Sequence, residues 1–313
     1  MNVFQSAYLS LYDSGELQKR AARLTARLAS CDICPRQCHV NRLAGEPGVF
    51  CHSGKLPIVA SYCAHHGEEP ALSGSRGSGT IFSGNCNLRC MFCQNYQISQ
   101  NWQRQKSNEV SVEMLAEDML YLQAQGCHNI NLVSPSHFVP QIVQALLIAV
   151  PMGLKLPLVY NTNAYDSLET LTEMDGIVDI YLPDIKYASD EMAVKYSQAP
   201  DYVRVNRAAI REIYRQVGDL QMDEQGVAVK GMIIRHLVLP NNLAGTGDIL
   251  RFIAQEISPR TYISLMGQYF PAHNAHSIPE LSRRLTQEEY DQAVEIASQL
   301  GLENTWVQEL DSD

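Results

Sequence analysis

The chain has 313 residues, 45% of them hydrophobic and 19% charged, and a formal net charge of −10. Such a chain can build one large α/β barrel with appendages, while its acidic balance argues against a nucleic-acid binder working through bulk electrostatics. No apolar run approaches the roughly 20 residues needed to cross a bilayer, and residues 1–5 lack the charged-then-apolar pattern of a signal peptide.

Near the N-terminus, Leu17, Ala21, Leu24 and Leu28 recur at helical spacing with Lys and Arg between them. This predicts an amphipathic helix capped by Ser14. Residues 31–77 are rich in Cys, Gly and Pro and show little periodicity, so burial alone would hold them poorly and a staple is expected. Within them Cys31, Cys34, Cys38 and Cys51 are spaced C-x2-C-x3-C-x12-C, with Gly45, Pro47 and Gly48 shaping the return to Cys51. Four thiols are a complete ligand set, suited to a zinc ion or to a fully ligated iron–sulfur cluster. His39 and His52 each follow a cysteine, which leaves three thiolates and one imidazole as an alternative. A closed centre of this kind is either a structural staple or an electron relay. Cys63 and Cys127 are isolated and expected to be buried free thiols. Nine cysteines, seven of them in two groups, suit a reducing compartment where thiols carry metal, so a cytoplasmic location is expected.

From residue 79 the pattern changes. Strands are predicted at 79–83, 129–134, 157–162, 178–182, 231–239 and 262–266. Helices are predicted at 111–125, 139–150, 166–173, 201–217 and 247–256; in the first, Leu115, Met119 and Leu122 share a face and Gly126 is the stop. Alternating strands and helices read as βα units on a parallel sheet. Thr286-Gln287-Glu288-Glu289 is a capping box opening a last helix, followed by a short strand at 305–308.

The most informative run is Gly84-Asn85-Cys86-Asn87-Leu88-Arg89-Cys90-Met91-Phe92-Cys93, which puts three thiols at C-x3-C-x2-C directly after the first of these strands. Three thiolates hold three irons of a 4Fe–4S cube whose corners are normally each capped by Cys, leaving the fourth iron open. A disulfide would strand one thiol. Structural zinc would need a fourth ligand, for which Cys63, His65 and His66 are candidates.

This run resembles the signature of the radical S-adenosylmethionine (SAM) superfamily, with Arg89 and Phe92 at positions where the family accepts a basic residue and wants an aromatic one. Residues 79–95 look like the pyruvate formate-lyase activating enzyme branch. Cys31-Asp32-Ile33-Cys34-Pro35-Arg36-Gln37-Cys38 is similar to the PflX-type group within that branch. The resemblance implies an α/β fold, a partial (β/α)6 TIM-like barrel with an N-terminal Cys-rich metal-binding segment. The expected organisation is an N-terminal helix at 1–30, the Cys-rich segment at 31–77, the barrel at 78–275 and a C-terminal extension at 276–313. The resemblance also implies that Cys86, Cys90 and Cys93 are the catalytic ligands of a 4Fe–4S cluster whose open iron chelates SAM. One electron then splits SAM into methionine and a 5′-deoxyadenosyl radical, which abstracts hydrogen from a substrate.

Barrel sites lie at the C-terminal ends of strands, so these ends should carry the cofactor contacts. After the second strand, Ser134, Pro135, Ser136 and His137 replace a family Gly-Gly-Glu stretch. Ser134 and Ser136 are candidate SAM contacts or else caps of the next helix, whereas a cationic His137 would repel an ammonium group. Asn161 and Asn163 end the third strand, similar to the family's Asp-Thr-Asn-Gly. Asp184 and Lys186 end the fourth; two apart on a strand, they share a face and are read as cofactor contacts or a solvated ion pair. Arg235, alone in an apolar fifth strand, must find an anion, and the SAM carboxylate is the candidate. Phe92 completes the cofactor set, and Gln268-Tyr269 are assigned to substrate contact. The partners implied are an electron donor such as flavodoxin or ferredoxin and a protein substrate, with a glycyl-radical enzyme the one the branch suggests. No nucleic acid or membrane partner is expected. The ferredoxin-like module that some activating enzymes carry after the three-cysteine loop is absent, since only Cys127 lies downstream of Cys93. The alternatives are radical modification of a small metabolite or peptide, and a non-catalytic iron–sulfur or zinc scaffold.

Overall fold

A computed structural model describes residues 4–308. Its strands are β1 (Val59–His65), β2 (Ser78–Ser83), β3 (Ile130–Val133), β4 (Leu158–Thr162), β5 (Ile180–Pro183), β6 (Gln221–Met222), β7 (Ala228–Leu237), β8 (Tyr262–Met266) and β9 (Thr305–Val307). They form one sheet in the order β1-β2-β3-β4-β5-β7-β8-β9, with β6 attached to β7. Every neighbour from β2 through β9 along that path is parallel, whereas β1 and β6 pair antiparallel. The six predicted strands therefore form, and the short C-terminal strand is a seventh parallel member at the far edge. This is the α/β, parallel-dominated sheet of a partial TIM-like barrel.

The strands sort their residues by the two-residue alternation of the pleat. On β4, Val159 faces inward while Leu158 and Tyr160 face the helices. The outward set, including Ile81, Ile130, Leu132, Tyr160, Ile234 and Leu265, joins the helical side chains Leu115, Met119, Ile142, Leu146 and Ile210 in one large core. The inward apolar set is small: Leu72, Val159, Ile180, Leu182, Ala228 and Ile233. Leu72 comes from a single helical turn, Pro70–Ser73, that plugs the interior.

The predicted helices form with shifted ends. Ser111 and Ser167 accept backbone N–H bonds as N-caps of Val112–Ala124 and Leu168–Glu173. The capping box between Thr286 and Glu289 opens Gln287–Gln299 as predicted. Other expectations need correction. The N-terminal helix is two, Ala7–Asp13 and Glu16–Ala26, broken where Gly15 turns left-handed (φ 74°); Ser14 closes the first and caps neither start. The strand predicted to reach residue 134 stops at Val133 because Ser134 takes φ 55°. The helix predicted at 247–256 is Thr246–Phe252 followed by a π-turn at Ile253–Ile257. The strands β1 and β6, the helix Asp190–Ser197 and the single turns Pro70–Ser73, Tyr96–Ser99 and Trp102–Gln105 carry no clear signal in the sequence. Among the described residues no helix is long and apolar enough to cross a membrane.

Candidate functional site

The three-cysteine loop leaves the C-terminal end of β2 through a cramped gate. A Cβ on Gly84 would meet Ile58 Cγ2 at 2.3 Å, so the chain passes there only as glycine. His137 braces the same point: its Nε2 lies 3.1 Å from the Gly84 carbonyl. Burial, and then the nearby Arg42 cation, push His137 down to about 3, so it is neutral and donates Nε2–H to that carbonyl. His137 is thus a neutral loop brace, so the repulsion expected of a cationic His137 does not arise.

Hydrogen-bond donors are aimed at the sulfurs. Leu88 N–H donates to Cys86 Sγ at 3.4 Å and the Asn163 amide donates to it at 3.5 Å. The Ser197 hydroxyl donates to Cys90 Sγ at 3.1 Å, and Ser99 Oγ lies 3.2 Å from Cys93 Sγ. Burial raises the Cys86 and Cys90 thiols, Cys90 to about 12. A bound cation would reverse that preference, and donors directed at sulfur suit the thiolate form. This donor set fits an iron–sulfur cluster. Among the described residues no three Cys, His, Asp or Glu side chains are grouped as ligands of a single ion.

Strand register places the charged residues beside this loop. Phe82 is opposite Val133, Val133 opposite Asn161, and Thr162 opposite Pro183. Asp184 is opposite Arg235. Lys186 Nζ donates to Asp184 Oδ2 at 2.7 Å and Arg235 Nε to Oδ1 at 2.8 Å. Arg235 Nη2 also donates to Asn161 Oδ1 at 2.6 Å. Burial alone would raise the Asp184 carboxyl, but Arg235 and then Lys186 outweigh it and hold it below the usual range. Glu68, which sequence reasoning missed, stands 3.9 Å from Arg235. Burial lifts its carboxyl to about 7, against the pull of Arg235. Its only sequence signal is a paired Glu immediately before the helix-opening Pro70.

Of the predicted set, then, Asn161, Asp184, Lys186 and Arg235 share one network. Asn163 ties the loop to β4 by donating to Asn87 Oδ1 at 2.8 Å as well as to Cys86. Phe92 is buried edge-on against Tyr187 and Tyr269. Ser136 is elsewhere: it lies 3.2 Å from Thr162 Oγ1, which donates to Asp166 on the outer side of the sheet. Neither Ser134 nor Ser136 caps Val139–Ala149, whose N-cap Phe138 has no side-chain bond. Tyr269 is buried and donates to the Leu281 carbonyl at 2.6 Å, so it packs the shell around the loop; Gln268 is exposed.

Cys31, Cys34, Cys38 and Cys51 line one small cavity. His39 is exposed and His52 stacks on Trp102 with ring centroids 4.6 Å apart, so neither faces that cavity. Cys127 is buried, as expected, but Cys63 is exposed. Cys63 pairs with Thr80 near the start of β2, away from the loop, and His65 lies edge-on to Phe82.

Residues 80–253 match the Radical SAM superfamily. The chain belongs to this superfamily. Radical SAM proteins are enzymes built around a 4Fe–4S cluster and SAM, and the donor set around Cys86, Cys90 and Cys93 suits that cluster. Over 278 residues the chain is 31% identical to an uncharacterised protein of Methanocaldococcus jannaschii, covering 88% of this chain and 76% of that one. Among solved structures it is similar to a radical SAM methyltransferase from Sphaerobacter thermophilus, with TM-score 0.46, 11% identity and 73% of this chain and 66% of the other covered. It is also similar to TYW1 with a lysine–pyruvate adduct bound, with TM-score 0.44, 13% identity and coverage of 75% and 76%.

Proposed function

We propose that this radical SAM protein is an activating-type enzyme of the PflX-like group that abstracts hydrogen from a protein substrate, with a glycyl-radical enzyme as the partner. The observation that carries this reading is the contiguity of two groups at one end of the sheet. The three-cysteine loop and the Asn161–Asp184–Lys186–Arg235 network lie there together, with Asn163, two residues after Asn161, donating to Cys86 and Asn87 of the loop.

In this reading Cys86, Cys90 and Cys93 ligate the cluster. A cluster held there beside SAM would supply the one-electron reduction on which the superfamily's chemistry depends. Lys186 and Arg235 offer the cationic donors that a methionyl carboxylate needs, and Asp184 keeps both aligned. Phe92 and the aromatic shell of Tyr187, Tyr202 and Tyr269 exclude water, which a carbon radical needs to survive until it meets its substrate. The reductant is a one-electron protein donor of the flavodoxin or ferredoxin class, and the compartment is the cytoplasm.

The test is anaerobic incubation of the reduced protein with SAM and a glycyl-radical enzyme. Release of 5′-deoxyadenosine together with a glycyl radical in the partner supports the proposal. An intact, reduced cluster that releases none rejects it. Deuterium transferred into 5′-deoxyadenosine from a labelled metabolite, with no protein radical, would instead favour the small-molecule reading that the altered 134–137 stretch motivates.

A further inference from the structure

We propose that Cys31, Cys34, Cys38 and Cys51 hold a second iron–sulfur cluster, closed by four thiolates and packed against the three-cysteine loop. The assignment stands on these residues alone and does not depend on the protein-substrate reading.

The four thiols come from two turns yet line the same cavity, together with Arg36, Arg42, Phe50 and His137. An empty interior void is normally apolar, and this one is not. Arg42 is completely buried. Its Nε and Nη2 donate to the Gly54 carbonyl at 2.9 and 2.8 Å, and its Nη1 donates to the His137 carbonyl at 2.8 Å. Nη1 also lies 3.8 Å from Cys31 Sγ. Among the described residues none of its partners is a carboxylate. A buried guanidinium without countercharge is costly, and four thiolates around a metal centre provide that charge where Arg42 meets Cys31. The buried His137 Nδ1, on the cavity lining, has no hydrogen-bond partner.

Gly48 adds a steric argument. A Cβ there would stand 2.4 Å from Cys51 Sγ, so the turn holds this sulfur where no larger residue permits it. A zinc ion draws its sulfurs in to about 2.3 Å from one centre, whereas a four-iron cube keeps them further apart. The four thiols line one cavity together with Arg36, Arg42 and Phe50, and the metal count below separates the two centres.

The two cysteine segments touch. Arg36, between Cys34 and Cys38, donates to the carbonyl of Asn87, between Cys86 and Cys90, at 3.0 Å. Its guanidinium lies 3.5 Å from the centre of the Phe50 ring, next to Cys51, and that of Arg89 lies 4.6 Å from it. Arg89 also donates to the Phe50 carbonyl. A cluster bound here would add a one-electron store to a segment that touches the three-cysteine loop through Arg36 and Arg89.

The test counts iron, zinc and acid-labile sulfide in full-length protein purified anaerobically. The forms compared are wild type, C34A/C51A and C86A/C90A/C93A. Wild type should hold about eight irons and each variant about four. In C86A/C90A/C93A the remaining cluster should give a reduced-state electron paramagnetic resonance signal that SAM does not alter. This variant leaves the upstream site untouched, so misfolding of C34A/C51A would not decide the matter. Gly48→Ala, a milder change, should lower iron content without moving the SAM-sensitive signal. About four irons and one zinc in wild type, with the zinc lost in C34A/C51A, would overturn the proposal, as would a C86A/C90A/C93A protein free of iron. If instead C86A/C90A/C93A kept every iron of wild type, the functional reading above would fail on its own account.

Discussion

Asp184 stands between two cations with its side chain only 13% exposed, and each of the three needs the others. Removing its charge while keeping its shape, as in Asp184→Asn, leaves Lys186 without its carboxylate and Arg235 with only Glu68, 3.9 Å away. Breaking a buried pair in this way costs about 3–5 kcal/mol, and denaturant unfolding of the anaerobic protein should show a loss of that order. Because Asp184 is held below its ordinary value, its contribution is present above the unfolded carboxylate range and is lost as pH falls through the depressed value. Glu68 has the opposite sign. Burial raises it from 4.5 to about 7, so the folded state keeps a proton that the unfolded chain releases. Wild-type stability should therefore fall, relative to Glu68→Gln, as pH rises from about 4.5 to about 7, by about 3 kcal/mol, and then run parallel. Melting both proteins across that interval checks this. A constant difference would mean that Glu68 titrates as an ordinary surface carboxylate.

At the level of elements, the strand β2 and its exit decide where the cysteines go. Gly84 passes so close to Ile58 that Gly84→Ala must push the loop or the Ile58 side chain aside. Iron retained by the loop should fall in Gly84→Ala. It should recover in Gly84→Ala/Ile58→Ala, where the obstructing branch is gone, and iron assays on both variants read this directly. Loss that the second change did not rescue would place the obstruction at Gln105 Oε1, which the same Cβ would meet at 2.9 Å. The parallel strands and most helices were legible because each has a local signature: β-branched runs, amphipathic spacing, Ser111 and Thr286 at helix starts. β1 was not, because Val59–His65 has an exposed middle and is a strand only through its antiparallel partner β2. The plug Pro70–Ser73 is a single turn, too short for any period, yet it brings Leu72 into the interior. Lys186 and Asp184 were visible as a same-face pair. Ser197 and Glu68 were not, since neither their spacing nor their type distinguishes them before the chain folds.

For the molecule as a whole, the sheet keeps most apolar packing on its outer side and leaves a thin apolar layer under a charged one inside. Residues 31–54 meet the three-cysteine loop along a seam crossed by Arg36, Asn85 and Arg89. Arg36 is the clearest of these: it donates to the carbonyls of Asn87 and Gln198, at 3.0 and 2.6 Å, and covers Phe50. Hydrogen bonds from a charged donor contribute about 1.5–3 kcal/mol each, so local opening at this seam should respond strongly while the outer core does not. Arg36→Ala should accelerate amide hydrogen exchange about tenfold or more, equivalent to about 1.4 kcal/mol or more, within 48–53 and 84–93. Exchange in β4, β5 and Val139–Ala149 should stay as in wild type, because those amides open only with the main core. Mass spectrometry of the exchanging anaerobic protein distinguishes the two regions. Faster exchange spread evenly through the barrel would make Arg36 a strut of the entire fold, whereas acceleration confined to the seam means that the Cys51 turn and the three-cysteine loop open apart from the main core.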